Sequence, residues 1–302
     1  MVLPIVADHQ GTTMGGIENA RGAARDPVFD NPVFIVSSPR SGSTLLFETL
    51  ARAPGVFTIG SESHVLIETI PGLGLPERGY ASNRLDAADA TPATARELRS
   101  RFLGRLRDRD ERPPAATPVR MLEKTPKNSL RVPFLARAFP EARFVFLYRD
   151  PRQVLASMIE AWLSGKFQTY RGALPGWPAP YWSMLLTPGW RALAGKPLPE
   201  IVAAQWQATI EVLLRDLGQL PADRRQAVRY DRFIAAPGET VAGLCKSLDF
   251  AWDQPLDRAL PLARHTLTPP SSEKWRRHEA VIESLLPRLQ PTIEQAERFI
   301  GS

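Results

Sequence analysis

The sequence predicts a three-layer α/β fold, a mainly parallel central sheet with helices on both faces. Two apolar runs, Val33 to Val36 and Phe144 to Tyr148, have strand length and break sharply into polar residues. Each break opens a stretch with helical apolar spacing: Leu45, Leu46, Thr49 and Leu50 after the first, Arg152 to Trp162 after the second. Strand and helix go on alternating to Leu248, and such units need crossover connections, which make parallel sheets. With 302 residues, 43% of them hydrophobic, the chain can bury a substantial core.

In order along the chain, residues 1–30 are rich in Gly and Ala with mixed charges, which predicts a flexible arm; 31–302 then form one domain. Pro54-Gly55 stops the first helix, and a short strand, Val56 to Ile59, leads into Gly60-Ser61-Glu62-Ser63-His64. Residues 71–92 read as an irregular connection. Ala93 to Arg112 reads as a helix whose seven arginines form a solvated face. Pro113-Pro114 precedes a strand near Val119 to Leu122, then a turn, Glu123 to Asn128, then a helix over Leu130 to Phe139. Residues 163–199 hold Phe167, Tyr170, Trp177, Tyr181, Trp182 and Trp190 among prolines, and such a long aromatic segment predicts a lid whose Trp177 to Trp190 stretch walls an acceptor. Pro199 to Leu217 reads as a core helix, Val228-Arg229-Tyr230 as a last short strand, followed by a helix through Leu248.

Composition narrows the function. There are 38 Lys and Arg against 32 Asp and Glu, a net charge of +6. Arginine suits bidentate contacts to phosphate or sulfate, so a small polyanionic ligand fits this balance. No aromatic-basic repeat or recognition motif favours nucleic acid, and no nucleic-acid partner is expected. Cys245, the one cysteine, lies in an apolar helical stretch and reads as a buried hydrophobe. His9, His64, His265 and His278 are scattered without zinc spacing, so no metal is expected. The first ten residues lack a signal-peptide pattern, and no run approaches the roughly 20 apolar residues of a membrane span. A cytoplasmic protein with no membrane partner is expected.

The chemistry starts at residues 37–44. A strand that breaks into small residues and opens a helix is a phosphate cradle, because successive N–H groups converge there and the helix dipole favours an anion. A nucleoside-triphosphate loop reads G-x-x-x-x-G-K-[ST]. Here Gly42 and Thr44 fit that frame, but Ser43 stands in place of the lysine, and the cation has moved to Arg40. The Arg40, Glu62, Lys124 and Arg149 segments all follow strand ends, where ligands of parallel sheets bind.

These residues resemble a family. Ser37-Ser38-Pro39-Arg40-Ser41-Gly42-Ser43-Thr44-Leu45 is similar to the 5′-phosphosulfate loop of sulfotransferases that use 3′-phosphoadenosine 5′-phosphosulfate (PAPS). Arg149-Asp150-Pro151-Arg152-Gln153-Val154-Leu155-Ala156-Ser157 resembles the family's 3′-phosphate segment. Tyr230-Asp231-Arg232-Phe233 resembles its Tyr-Glu-Asp-Leu segment, and Ser272-Glu273-Lys274-Trp275-Arg276 its C-terminal closing segment. The resemblance implies a P-loop-like nucleotide-binding core, with PAPS as donor, 3′,5′-ADP as product and no metal. It implies that Pro39, Arg40, Ser41, Gly42, Ser43 and Thr44 hold the 5′-phosphosulfate and that Arg149 and Ser157 hold the 3′-phosphate. Tyr230 then lies near the adenine, and Ser272, Lys274, Trp275 and Arg276 close over the nucleotide.

A hydroxyl acceptor, small or tethered to a carrier, must lose a proton as it attacks, so the site needs a base. The small-molecule branch of the family uses a His in Lys-Thr-His-Leu-Pro; the matching Lys124-Thr125-Pro126-Lys127-Asn128 has none. Lys124 remains to contact the sulfonate in transfer. The tyrosylprotein branch places its base in Gly-Glu-Glu-Thr-Arg, which Gly60-Ser61-Glu62-Ser63-His64 resembles. Glu62 is therefore the first candidate base. His64, on the same face if the stretch is extended, either orients Glu62 or is the base itself. Glu68 is a third candidate, and Glu123 is expected to pair with nearby cations. Rival readings are a P-loop kinase, which needs the missing lysine, and a non-catalytic binder of nucleotides or nucleic acid.

Overall fold

The computed structural model describes residues 28–172, 174–256, 260 and 273–301. Strand β1 (Val33–Val36) enters the loop at residues 37–42, and helix α1 (Ser43–Leu50) leaves it. Strand β2 (Val56–Phe57) is followed by α2 (His64–Glu68) and α3 (Pro92–Arg105). Strand β3 (Arg120–Lys124) runs through a 3-10 turn, Pro126–Leu130, into α4 (Val132–Ala138). Strand β4 (Arg143–Tyr148) gives way to α5 (Pro151–Leu163). Strands β5 (Gln168–Arg171) and β6 (Tyr181–Ser183) form a separate antiparallel pair, and α6 (Leu198–Gly218) leads back to β7 (Arg225–Arg229). Helices α7 (Tyr230–Ala235), α8 (Pro237–Leu248) and α9 (Glu279–Gly301) follow.

The main sheet has the order β2-β3-β1-β4-β7, and every neighbouring pair is parallel. Side chains alternate between its faces. Val33, Ile35, Val145 and Leu147 pack with residues of α1, α7 and α8; Phe34, Val36, Phe144 and Phe146 pack with residues of α3, α4, α5, α6 and α9. That is the predicted three-layer arrangement. Because the strands are parallel, their carboxyl ends lie along one edge of the sheet, and the loops leaving β1, β3, β4 and β7 meet there.

Several elements differ from the sequence-based expectations. The chain leaves α3 at Leu106, because Thr58 and Arg107 exchange two backbone hydrogen bonds of 2.8 Å that hold residues 106–107 extended. Nor are that helix's arginines all solvated. Arg99 is buried, paired with Glu141 at 2.6 Å and lying over the rings of Phe29 and Phe139. Glu123 and Lys124 belong to β3, in register with Phe34 and Ile35 of β1, so the turn begins only at Thr125. Strand β7 starts at Arg225 and ends at Arg229, paired with Tyr148, so Tyr230 opens a helix rather than closing a strand.

Most of the expected arm, residues 1–27, lies outside the described residues. Phe29 within its last part is core, 3% exposed and edge-on to Phe139. In the aromatic segment, Trp182 and Trp190 are wholly buried and stack edge-to-face with each other and with Trp177. Each of these indole N–H groups donates to a backbone carbonyl, that of Leu185, Tyr80 and Tyr181 respectively. Trp182 and Trp190 therefore serve as core, with no face left to wall an acceptor. No described helix is long and apolar enough to cross a membrane. Cys245 is buried, and burial pushes its thiol up to about 11.

Candidate active site

The loop after β1 is fixed at both ends. Ser37 N–H donates to Ser129 Oγ (2.9 Å), and that hydroxyl donates back to the Ser37 carbonyl (2.6 Å). Ser38 and Ser41 share a hydroxyl–hydroxyl bond of 2.7 Å. The backbone turns through two left-handed residues, Arg40 (φ 66°) between those serines and Gly42 (φ 93°) just after them. Such a conformation costs an L-residue about 1–2 kcal/mol, so Arg40 is held there by the rest of the loop. The first turn of α1 then begins at Ser43, with N–H groups that have no acceptor within the helix.

The two arginines singled out in the sequence meet. Arg149 Nη1 donates to the Arg40 carbonyl at 3.3 Å, and Arg40 Nε donates to Ser157 Oγ at 3.2 Å. Gln153, one turn beyond Arg149, accepts from Arg149 Nε and Nη2 at 3.1 and 2.9 Å. The Arg149 guanidinium lies 4.5 Å over the Tyr230 ring, and that of Arg40 lies 4.7 Å over Phe167. Burial lowers the pKa of both guanidiniums, and repulsion from Arg149 lowers that of Arg40 further. Two partly desolvated like charges side by side favour an anion between them.

Tyr230 also closes against the loop. A Cβ on Gly42 would fall 2.2 Å from Tyr230 Cε2 and 2.5 Å from Cδ2. Gly42→Ala is thus expected to destabilise the protein by about 2–4 kcal/mol, from overpacking plus the left-handed backbone. Thermal melts check this. In a Tyr230→Leu background the cost should shrink toward the backbone term alone, about 1–2 kcal/mol.

The C-terminal segment is brought in unevenly. Burial lowers the Lys274 pKa, and the charges of Glu160, Arg277 and Arg149 all act on it. The guanidiniums of Arg152 and Arg276 lie 5.5 and 5.2 Å from the Trp275 ring. Arg276 is exposed and paired with Glu273 and Glu279 on its own stretch. Ser272 lies outside the described residues.

The carboxylate half sits at the ends of β2 and β3. Glu62 Oε1 accepts from Lys124 Nζ at 3.0 Å, so its neighbour is an ammonium rather than an apolar crevice. His64 does not continue an extended stretch; it opens α2, with Nδ1 3.8 Å from Glu62 Oε2. Burial, then the Lys127 charge, lower the His64 pKa, which keeps the ring neutral at pH 7. Contrary to expectation, Glu123 makes no ion pair among the described residues, although the charge of its neighbour Lys124 acts on it. It is fully buried and accepts from Ser63, Thr125 and Asn128.

Glu68 does not suit the third-base role. Burial pushes its carboxyl up, but Arg131 and Lys127 pull it further down, to a net position below the usual carboxylate range. Its oxygens lie 2.5 Å from Arg131 Nη2 and 2.9 Å from Lys127 Nζ. Because its folded-state pKa is depressed, the stability it contributes is present above about pH 4 and is lost as pH falls through that lower value. Glu68→Gln, which leaves the buried Arg131 without its carboxylate, is expected to cost about 3 kcal/mol at pH 7. The gap to the parent in thermal melts should narrow below about pH 4.

From the sequence, Gln153 and Ser129 have no site role, and Phe167 is placed in the lid rather than against Arg40. Only Gln153 carried a local signal, its i,i+4 spacing from Arg149. Among the described residues no group of three His, Cys, Asp or Glu is placed to hold a metal ion.

The fold is shared with a known protein. The crystal structure of a sulfotransferase from Alicyclobacillus acidocaldarius superposes with a TM-score of 0.51 at 17% identity, over 91% of this chain and 97% of that one. A mouse sulfotransferase complexed with PAP aligns at 11% identity with a TM-score of 0.41, over 91% of each chain. A Caenorhabditis briggsae protein, assigned by name to the protein-tyrosine sulfotransferases, is 28% identical over 132 residues. That match covers 44% of this chain and only 44% of the relative's length. Residues 32–254 match the model of the sulfotransferase family, and the chain belongs to that family.

Proposed function

We propose that the protein moves a sulfuryl group from PAPS to the hydroxyl of a small-molecule or carrier-tethered acceptor. The observation that carries this reading is the meeting of Arg40, Arg149 and Ser157 at one edge of the sheet. Two adjacent, largely buried guanidiniums beside a helix N-terminus fit a nucleotide with phosphates at both its 5′ and 3′ positions. When bound, PAPS supplies the sulfuryl group, whose bond to the 5′-phosphate breaks as the acceptor oxygen bonds to sulfur.

Glu62 takes the acceptor's proton, and neutral His64 orients it. Arg40 and the N–H groups of Ser41 to Thr44 stabilise the charge that develops on the departing 5′-phosphate. Lys124 steadies the sulfonate during transfer. Arg149 and Ser157 grip the 3′-phosphate, Tyr230 lies beside the adenine, and Lys274 with Trp275 covers the nucleotide. Ser43, where a kinase loop carries lysine, supports sulfuryl over phosphoryl transfer.

Thermal-shift titration with 3′,5′-ADP against ATP tests the reading, since a ligand that binds the native state raises its melting point. The bisphosphate should give the larger shift at every concentration. A shift with ATP and none with 3′,5′-ADP overturns the assignment.

A further inference from the structure

We propose that Glu123 is a positioning residue for the transfer reaction: through Ser63 it sets the two side chains that flank Ser63, Glu62 and His64. The inference rests on the sulfuryl-transfer reading above and adds a residue to it.

Ser63, Glu123, Thr125 and Asn128 are all 0% exposed. They are tied in one knot. Ser63 N–H donates to Thr125 Oγ1 (2.7 Å), and Ser63 Oγ–H donates to Glu123 Oε1 (2.7 Å). Thr125 Oγ1–H donates to the same carboxylate oxygen. Asn128 Nδ2 reaches Glu123 Oε2 at 2.9 Å and Ser63 Oγ at 3.1 Å. Both carboxylate oxygens are thereby engaged, as is the backbone of Ser63.

The register adds the functional point. Consecutive residues at the end of β3 hold consecutive residues of the base segment: Glu123 holds Ser63, and Lys124 holds Glu62 at 3.0 Å. One side chain of each pair is turned inward and the other toward the site. Glu62 and His64 keep 35% and 39% of their side-chain surface, whereas Ser63 between them keeps none. Burial raises the pKa of the Glu123 carboxyl, so the site bears a desolvation cost that a packed apolar side chain would avoid. Buried polar networks of this kind specify geometry more than they add stability. What this one specifies is the placement of the base segment against the strand that carries Lys124.

The test uses the full-length protein with Ser63→Ala and Glu123→Gln, each made in the parent and in a Glu62→Gln background. The readouts are the His64 ring titration by NMR, 3′,5′-ADP affinity, and transfer of labelled sulfuryl from PAPS to a panel of aromatic and aliphatic alcohols. The charged groups facing His64 are Lys127, Glu68, Glu62 and Arg131, and none of these is altered in the single variants. Loosening the knot should move the His64 titration up toward its ordinary value of about 6.5. Turnover should fall at least about tenfold in the parent background, because small misplacements of catalytic groups are costly. In the Glu62→Gln background the added loss should be under about twofold. Affinity for 3′,5′-ADP should stay within about twofold of the parent throughout.

The inference is overturned if His64 titration and turnover are unchanged in Ser63→Ala. It is equally overturned if turnover and 3′,5′-ADP affinity fall together, which would mark general destabilisation. Should Glu123→Gln fail to fold, Ser63→Ala decides alone. A parent protein without affinity for 3′,5′-ADP would instead sink the functional reading itself.

Discussion

Glu62→Gln is expected to lower turnover by about 10²–10⁴-fold, the usual span for loss of a general base. The substitution keeps shape and leaves an amide oxygen to accept from Lys124, which now sits 3.0 Å from the carboxylate. What disappears is the ability to take a proton. In the proposed reading the donor binds at the other half of the site, so 3′,5′-ADP affinity should stay within about twofold. His64→Ala separates the two candidates. If the imidazole only orients the carboxylate across its 3.8 Å gap, the loss should be about tenfold or less. A larger loss from His64→Ala than from Glu62→Gln would transfer the role of base to the imidazole, which is neutral at pH 7 and therefore competent for it.

Much of the candidate site's assembly was legible in the sequence because its parts are local and the topology brings them together. Arg40 lies in a loop read from eight consecutive residues, and Arg149 and Ser157 lie in a strand end and the helix that follows it. Parallel pairing of β1 with β4 then forces both segments to the same edge of the sheet. Only the final contacts, such as Arg149 to the Arg40 carbonyl, needed coordinates.

What was not legible depends on partners distant in sequence. Glu123 reads as an ordinary acid beside a lysine until Ser63, 60 residues earlier, arrives over it. Glu68 reads as a spare base until Lys127 and Arg131 clamp it from 59 and 63 residues away. Trp182 and Trp190 read as lid because they fall in a long aromatic segment between two helices, yet they bury against Trp177. Helix α9 was missed for a different reason. Pro287 and Pro291 lie inside it and read locally as breakers. Its apolar stripe, Ile282, Leu285, Leu286 and Leu289, is buried in the same core as α6, so tertiary packing outweighs the local preference.

Arg149→Ala is expected to weaken 3′,5′-ADP by about 10²–10³-fold, the effect of removing one partner from a desolvated charge pair. The guanidinium is held in place: Gln153 holds one edge with two hydrogen bonds, and Tyr230 supports its face at 4.5 Å. Lysine offers neither the planar face nor the fork, so Arg149→Lys should recover no more than about tenfold of the loss. Specificity is the decisive measurement. A residue that grips the 3′-phosphate should matter little for adenosine 5′-phosphate, whose affinity should change by less than about threefold. Equal weakening of both ligands would mean that Arg149 acts by bracing the loop through the Arg40 carbonyl. In that case the second phosphate must be sought against Lys274, a cation of the C-terminal segment that lies within reach of the Arg149 charge.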